Sequence, residues 1–281
     1  MQYGLDLSNA GAYGDPRMLA ELARLAEDTG WDGIFLEDYI MHWCNQATYD
    51  PWIALAAMAM NTKHITLGIT VTPLPRRRPW KIAREAVTLD HLSQGRFVLG
   101  VGIGNGKDAD FAHLGEETND RQRAAMLDEA LDIIVGLWSG QPFSYQGEHF
   151  NLQEVTFLPK PIQQPRIPIW VGGGWPLKGP TQRAIRWDGS CMYRHSNGGE
   201  WQDWTPEDVQ ALRSMVETQR GPNVQFDIKV GGRERRDDLE QEREFMQSMA
   251  EAGVTWYGEF IPPCEPALVR EQIMQGPLRV E

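Results

Sequence analysis

The stretch GRFVLGVGIGNG, residues 95–106, is an apolar run that ends in alternating glycines. Two α/β architectures place glycines after a buried strand, and the spacing separates them. A dinucleotide fingerprint G-x-G-x-x-G needs its third glycine three places after the second. Counted from Gly100 and Gly102, that place holds Asn105; counted from Gly102 and Gly104, it holds Lys107. The fingerprint also belongs to the first strand of its fold, whereas this run lies a third of the way along a chain of 281 residues. These glycines do not mark a Rossmann turn.

Working outward from them, the chain alternates short strand and helix. Strands are expected at YGLDL, GIFLE, ITLGITV and RFVLGVG, then at IPIWVGG, GSCMY, VQFDIKV and VTWYGEFI. RFVLGVG is apolar on both faces, as a strand covered by helices requires. Asp15-Pro16, Asp50-Pro51 and Thr205-Pro206 each read as a cap followed by a first helical residue. Ile82, Ala86, Leu89 and Leu92 recur at helical spacing after Pro79, and Met126, Ala130, Ile133 and Leu137 do so between Asn119 and Trp138. Further helices are expected at TQRAIRW, EREFMQSMAEAG and EPALVREQIMQ. Eight strands, each followed by a helix, predict an α/β fold: one (β/α)8 TIM barrel spanning residues 1–281. Its one sizeable insertion is a hairpin of about residues 141–158, turning at Gln146-Gly147 between strands four and five.

Composition narrows the partners. The net charge of -12 argues against a nucleic-acid backbone. The longest apolar run, IALAAMAM, falls far short of the ~20 residues that span a bilayer. The N-terminal residues lack a basic segment followed by an apolar one, so the expectation is a cytoplasmic protein without a secretory leader. Cys44, Cys191 and Cys264 are odd in number and widely spaced, as reduced thiols are. No C-x-x-C or H-E-x-x-H pattern supports a zinc site, and no metal is expected.

The long segment LGITVTPLPRRRPWKIAREAVTLDHLSQGRFVLGVGIGNG resembles the luciferase-like monooxygenase superfamily, whose members use FMN or coenzyme F-420. The likeness continues in GWDGIFLEDYI, AAMLDEALDIIVGLWSGQPFSYQGEHF, PKPIQQPRIPIWVGGGWP and AEAGVTWYGEFIPP. It implies a flavin- or deazaflavin-dependent oxidoreductase acting on a small organic substrate. The coenzyme ring would lie over the barrel mouth, against Gly102, Gly104 and Asn105. A non-prolyl cis peptide supports the ring in the family, and the matching residues are Thr70 and Val71. The family's phosphate loop is similar to Gly172, Gly173 and Gly174, followed by Trp175. The choice between FMN and F-420 stays open, and a homodimer is a possible assembly.

Two departures bear on proton transfer. Many relatives carry Asp-His at the exit of strand two, where this chain has Asp38-Tyr39; Arg-His-Pro is replaced by Arg77-Arg78-Pro79. A phenol with a reference pKa of ~10 is no base near neutrality. The expected catalytic group is therefore His42, oriented by Asp38, with Tyr39 as a wall or hydrogen-bond donor; the bland alternative is a solvated or structural loop histidine. His113 and His195 also fall in loops at the functional face. Glu37 and Asp38 are adjacent on a strand end, so only one points into the barrel. The expectation is Asp38, with Glu37 a helix-side partner for arginine. Arg76, Arg77, Arg78, Lys81 and Arg84 would hold phosphate or a polyglutamate tail, or form a solvated helix start. Tyr193, Trp175, Trp201 and Trp204 would stack on a ring or wall an apolar pocket. Two rival functions are a barrel hydrolase using paired carboxylates and a non-catalytic coenzyme-binding protein.

Overall fold

In the computed structural model, which describes residues 1–42, 44–196 and 201–280, the expected alternation closes into a barrel. Strands β1 (Gln2–Leu7), β2 (Gly33–Leu36), β3 (Thr66–Pro73) and β4 (Phe97–Gly102) alternate with helices α1 (Pro16–Asp28), α2 (Pro51–Asn61) and α3 (Pro79–Ser93). A short helix α4 (Ala109–Ala112) and the long α5 (Asp120–Trp138) follow. Strands β5 (Phe143–Gln146) and β6 (Asn151–Val155) then pair antiparallel as the expected hairpin. The alternation resumes with β7 (Ile169–Val171), β8 (Gly174–Trp175), α6 (Lys178–Arg186), β9 (Gly189–Ser190) and β10 (Tyr193–Arg194). It ends with α7 (Pro206–Arg220), β11 (Asp227–Arg233), α8 (Leu239–Ala252), β12 (Trp256–Ile261) and α9 (Pro266–Met274). The closed order is β1-β12-β11-β9-β7-β4-β3-β2.

Local chemistry starts the helices where expected. The Asp15 and Asp50 side chains accept backbone N–H groups of the first turn, and proline follows each. Thr205 and Asp208 close a reciprocal capping box on α7. Two strands differ from expectation. The segment GSCMY splits, because only Gly189–Ser190 pairs in the barrel and Tyr193–Arg194 pairs instead with Gly174–Trp175 above it. The seventh barrel strand starts at Asp227, since β9 offers it partners only at Gly189 and Ser190.

Apolar side chains fill two layers. Leu5, Leu7, Ile34, Leu36, Ile69 and Leu99 are fully buried against the helices. Inside the barrel, Phe35 packs 5.4 Å from both Trp170 and Trp256, with Val98 completing the plug.

The alternating glycines of strand four now have an explanation. The β3–β4 register pairs Ile69 with Leu99 and then Thr72 with Val101, so Thr70 and Val71 together oppose Gly100. The Thr70–Val71 peptide is cis. A Cβ on Gly100 would lie 2.0 Å from the Ile69 carbonyl oxygen, and one on Gly102 2.8 Å from Val71 Cγ2. The glycines let strand four lie against a bulged neighbour. Gly100→Ala is expected to destabilise the protein by about 3 kcal/mol or more, because the contact is with backbone that cannot swing away. An unchanged urea midpoint in that variant would show that the bulge relaxes freely.

Candidate active site

Two adjoining cavities open at the C-terminal ends of the strands, the functional end of such a barrel. The first, about 200 Å³, is lined by Glu37, Asp38, Tyr39, Thr70, Val71 and Arg76, among others. The second, about 150 Å³, is lined by Asp6, Glu37, Thr70, Cys191, Lys229 and Trp201, among others. Each is smaller than the ~300 Å³ at which drug-sized ligand sites begin. They share Glu37 and Thr70, and so make one cleft in two parts.

Strand alternation explains what reaches the cleft. Phe35 fills the barrel interior, so by the period of two Glu37 also points inward. By strand parity it is Glu37, not the expected Asp38, that faces the barrel interior, although Asp38 also lines the first cavity. Asp38 faces the arginines: its carboxylate accepts from Arg77 Nη2 at 2.7 Å, from Arg76 Nη2 at 3.1 Å and from the Thr72 hydroxyl. Glu37 needs no arginine and has none; its Oε2 is buried and makes no hydrogen bond. Burial pushes the Glu37 carboxyl up to about 7; nearby Asp6 adds to the rise and the Ser8 hydroxyl opposes it.

Deeper in the second cavity, Lys229 Nζ donates to Asp6 Oδ2 at 2.7 Å and sits 5.1 Å from the centre of the Phe35 ring. Asp6 Oδ1 is buried without a hydrogen-bond partner. Burial raises the Asp6 pKa, with the lysine pulling the other way. Burial also pushes the Cys191 thiol up to about 12, so it is a protonated wall rather than a nucleophile. At the exit of β11, Gly231 and Gly232 adopt φ of +96° and +84° and break the register with β12. That left-handed pair opens the mouth above Lys229.

The first cavity is braced by Arg76. Its guanidinium donates to Asp110 and to the Asp38 carbonyl, while its Nε is buried without a partner. Asp110 also accepts from the backbone N–H groups of Ile40 at 3.0 Å and Met41 at 2.5 Å, fixing the loop after β2. Asn9 holds Tyr39 from the other side, accepting from its N–H at 3.1 Å and donating to its carbonyl at 2.8 Å. Burial, together with Glu37, Asp108 and Asp110, raises the Tyr39 pKa, so the phenol stays protonated.

His42 is 5% exposed and packs edge-on to Tyr39, ring centroids 5.2 Å apart. It lies behind Tyr39 and lines neither cavity. Burial lowers its pKa, and the carboxylate opposing that shift is Asp110 rather than the expected Asp38. Gly104 and Asn105 line the first cavity, and Asn105 Nδ2 donates to Asp108 at 2.8 Å. Gly102 does not line it; like Gly172, whose Cβ would lie 2.6 Å from Val71 Cγ1, it makes room for the Val71 side chain. Gly173 rests on Pro180 and Gly174 on His195, so this loop leads directly into α6.

Four members of the basic run are engaged within the chain, and the fifth, Arg78, is exposed. Arg76 and Arg77 are held by Asp38 and Asp110, Lys81 by Glu85, and Arg84 donates to the Leu158 carbonyl. Of the four aromatic side chains expected as walls, Tyr193 and Trp201 line the second cavity. Trp175 and Trp204 are buried and stacked on each other at 5.4 Å, with Trp175 Nε1 donating to Asp208. His113 is exposed, and His195 stands 6.5 Å from the Tyr193 ring. Among the described residues, no group of His, Cys, Asp and Glu could hold a metal ion, and no helix is long and apolar enough to cross a membrane.

Asp6, Lys229 and the Gly231–Gly232 pair escaped sequence reading. Their signal was a charge set among apolar residues in each of two strands, Asp6 in YGLDL and Lys229 in FDIKV, and a Gly-Gly pair directly after the second.

The two-part polar cleft lies at the strand ends of a closed parallel barrel, where enzymes of this architecture carry their active sites. Residues 4–180 match the family of the luciferase-like monooxygenases, and the chain belongs to that family. Over 167 residues it is 34% identical to an F-420-dependent glucose-6-phosphate dehydrogenase of Amycolatopsis mediterranei (strain U-32), covering 58% of this chain and 49% of that one. It is 34% identical over 174 residues to a protein of the same name from Kineococcus radiotolerans, covering 61% and 50%. The chain thus spans about half the length of the curated relatives it matches. Its fold is that of the coenzyme F-420-dependent tetrahydromethanopterin reductase of Methanopyrus kandleri, with a TM-score of 0.73 at 17% identity over 98% of each chain. A monooxygenase from Streptomyces bottropensis superposes with a TM-score of 0.77 at 16% identity, over 97% of this chain and 96% of that one.

Proposed function

We propose that this protein is an F-420-dependent oxidoreductase acting on a small organic molecule, with the coenzyme ring in the first cavity and the substrate in the second. The observation that carries the reading is the meeting of the two cavities at Glu37 and Thr70, over the Thr70–Val71 bulge. The cleft fits a polar ring: the buried Arg76 Nε and Glu37 Oε2 both lack partners there. The names of the curated relatives favour F-420 over FMN.

Val71, Gly104, Asn105 and Tyr39 would bind the ring, Val71 from the bulge and Tyr39 as a protonated donor. The coenzyme phosphate would rest on the Gly172–Gly174 loop and the first turn of α6. That turn has no side-chain cap and no acidic residue, and it opens with Lys178, an arrangement the helix dipole disfavours unless an anion lies in front of it. When bound, the coenzyme supplies or accepts a hydride. Glu37, with its carboxyl near 7, would hold or take the accompanying proton at Oε2. Tyr193, Trp201 and Phe260 would exclude water.

Titration of F-420 and of FMN into the protein tests the coenzyme: saturable F-420 binding is expected, with FMN weaker. Binding of FMN alone, or of neither, would end this reading. Gly179→Asp tests the phosphate position. A Cβ at Gly179 meets nothing within 4 Å, and a carboxylate in the first turn suits the helix. The variant should keep its melting temperature yet bind F-420 at least about tenfold more weakly, since the carboxylate would oppose the phosphate. Equal affinity in the variant would place the phosphate elsewhere.

A further inference from the structure

We infer that the second cavity takes a small, uncharged hydroxyl compound or its carbonyl counterpart, anchored on the buried Asp6–Lys229 pair, and excludes a sugar phosphate. This rests on the oxidoreductase reading and narrows it, because the curated relatives are named for a phosphorylated sugar.

The charge balance of the cavity decides against an anion. Among the described residues that line it, Lys229 is the one cation, and Asp6 already neutralises it; Glu37 adds a further acidic group. The arginines of the neighbouring segments do not line the cavity, and each is paired. Arg194 pairs with Asp208 at 2.7 Å, and Arg235 with Glu259 at 2.8 Å. Arg233 pairs with Asp203 at 2.9 Å and Glu242 at 2.8 Å. Arg236 shares both of those carboxylates, at 2.6 and 3.1 Å. A phosphate monoester carries nearly two negative charges and needs several uncommitted donors. Here it would be buried beside two carboxyl groups, with the lysine of the described lining already paired.

A neutral hydroxyl suits the same place. Asp6 is 8% exposed, and its Oδ1 lies buried without a hydrogen-bond partner, so it would accept a hydrogen bond from the hydroxyl. The substrate oxygen would accept from Lys229 Nζ, which leaves no donor or acceptor of the group unmet. Around that polar floor the walls are Phe35, Met192, Tyr193, Trp201 and Phe260. Tyr193 and Trp201 are 49% and 53% exposed, apolar surface that a ring would cover. The volume of about 150 Å³ suits a single ring without a charged appendage.

The test is calorimetric titration of the F-420-bound protein with two probes of the same ring size, cyclohexanol and glucose 6-phosphate. Cyclohexanol should bind, and glucose 6-phosphate should bind at least about a hundredfold more weakly or not at all. Asp6→Asn leaves Lys229 uncompensated, so it should weaken cyclohexanol at least about tenfold and shift the ratio toward the phosphate. The double variant Asp6→Asn, Lys229→Met removes both charges at similar volume and so protects the fold; it should lose cyclohexanol without gaining the phosphate. Tighter binding of glucose 6-phosphate by the wild type, binding of neither probe, or an unchanged ratio in Asp6→Asn would overturn the inference. Failure to bind F-420 at all would instead overturn the oxidoreductase reading beneath it.

Discussion

Glu37→Gln is expected to lower turnover by about a hundredfold or more while making the protein more stable at alkaline pH. The first effect follows from position. Glu37 is the titratable side chain shared by both parts of the cleft, and a positioned acid or base typically contributes about 10²–10⁴ in rate. Glutamine keeps the size and some hydrogen bonding but cannot exchange a proton, so F-420 affinity should change by no more than about threefold. The second effect follows from linkage. The folded carboxyl, near 7, stands above its ordinary 4.5 because burial disfavours the charged form. Its contribution to stability is fully present below about pH 4.5 and is lost as pH rises through 7. A shift of this size is worth roughly 3 kcal/mol. Glutamine has no such loss, so denaturant curves at pH 8 should show the variant as the more stable protein, with the gap closing toward pH 5. The wild-type rate should in turn change across pH 7 and the residual rate of the variant should not. His42→Ala serves as the contrast: His42 stands behind Tyr39, and its loss should leave most of the activity. Full activity in Glu37→Gln together with its collapse in His42→Ala would return the proton to the imidazole.

The barrel was legible in sequence because its signals are local. Asp-Pro and Thr-Pro starts, helical spacing after Pro79 and doubly apolar strands each depend on neighbours within a few residues. The Thr70–Val71 bulge was legible through a family likeness, and the glycines at 100 and 102 are its steric counterpart. The floor of the cleft was not legible, since Asp6 and Lys229 are 223 residues apart and meet only when the barrel closes. The parity of β2 was missed for another reason. All four of its residues are buried, so an apolar pattern cannot show which face is the interior. Knowing that Phe35 fills the barrel settles it: Gly33, Phe35 and Glu37 share the inward face and Asp38 does not.

Asp38→Ala is therefore expected to act on the fold, with a loss of about 3–5 kcal/mol, the cost of breaking a buried ion pair from one side. Asp38 and Arg76 side chains are each 1% exposed, and Arg77 is 20% exposed. Without the carboxylate, Arg77 loses both of its 2.7 Å contacts and Thr72 loses its acceptor. Arg76 keeps Asp110 but must carry its charge in nearly dry surroundings. The damage should spread to the coenzyme cavity, because Arg76 and Asp110 together hold the loop that carries Ile40 and Met41. A residue that only oriented an imidazole would give the opposite pattern, with turnover falling and thermal stability intact. The decisive measurement is a double-mutant cycle with Arg77→Met, which keeps an unbranched side chain and removes the charge. Removing both partners of a buried pair costs far less than removing one, so Asp38→Ala, Arg77→Met should recover part of the lost stability. Equal stability of Asp38→Ala and wild type would mean that the arginines find other partners, and strict additivity in the cycle would mean that Asp38 and Arg77 do not depend on each other.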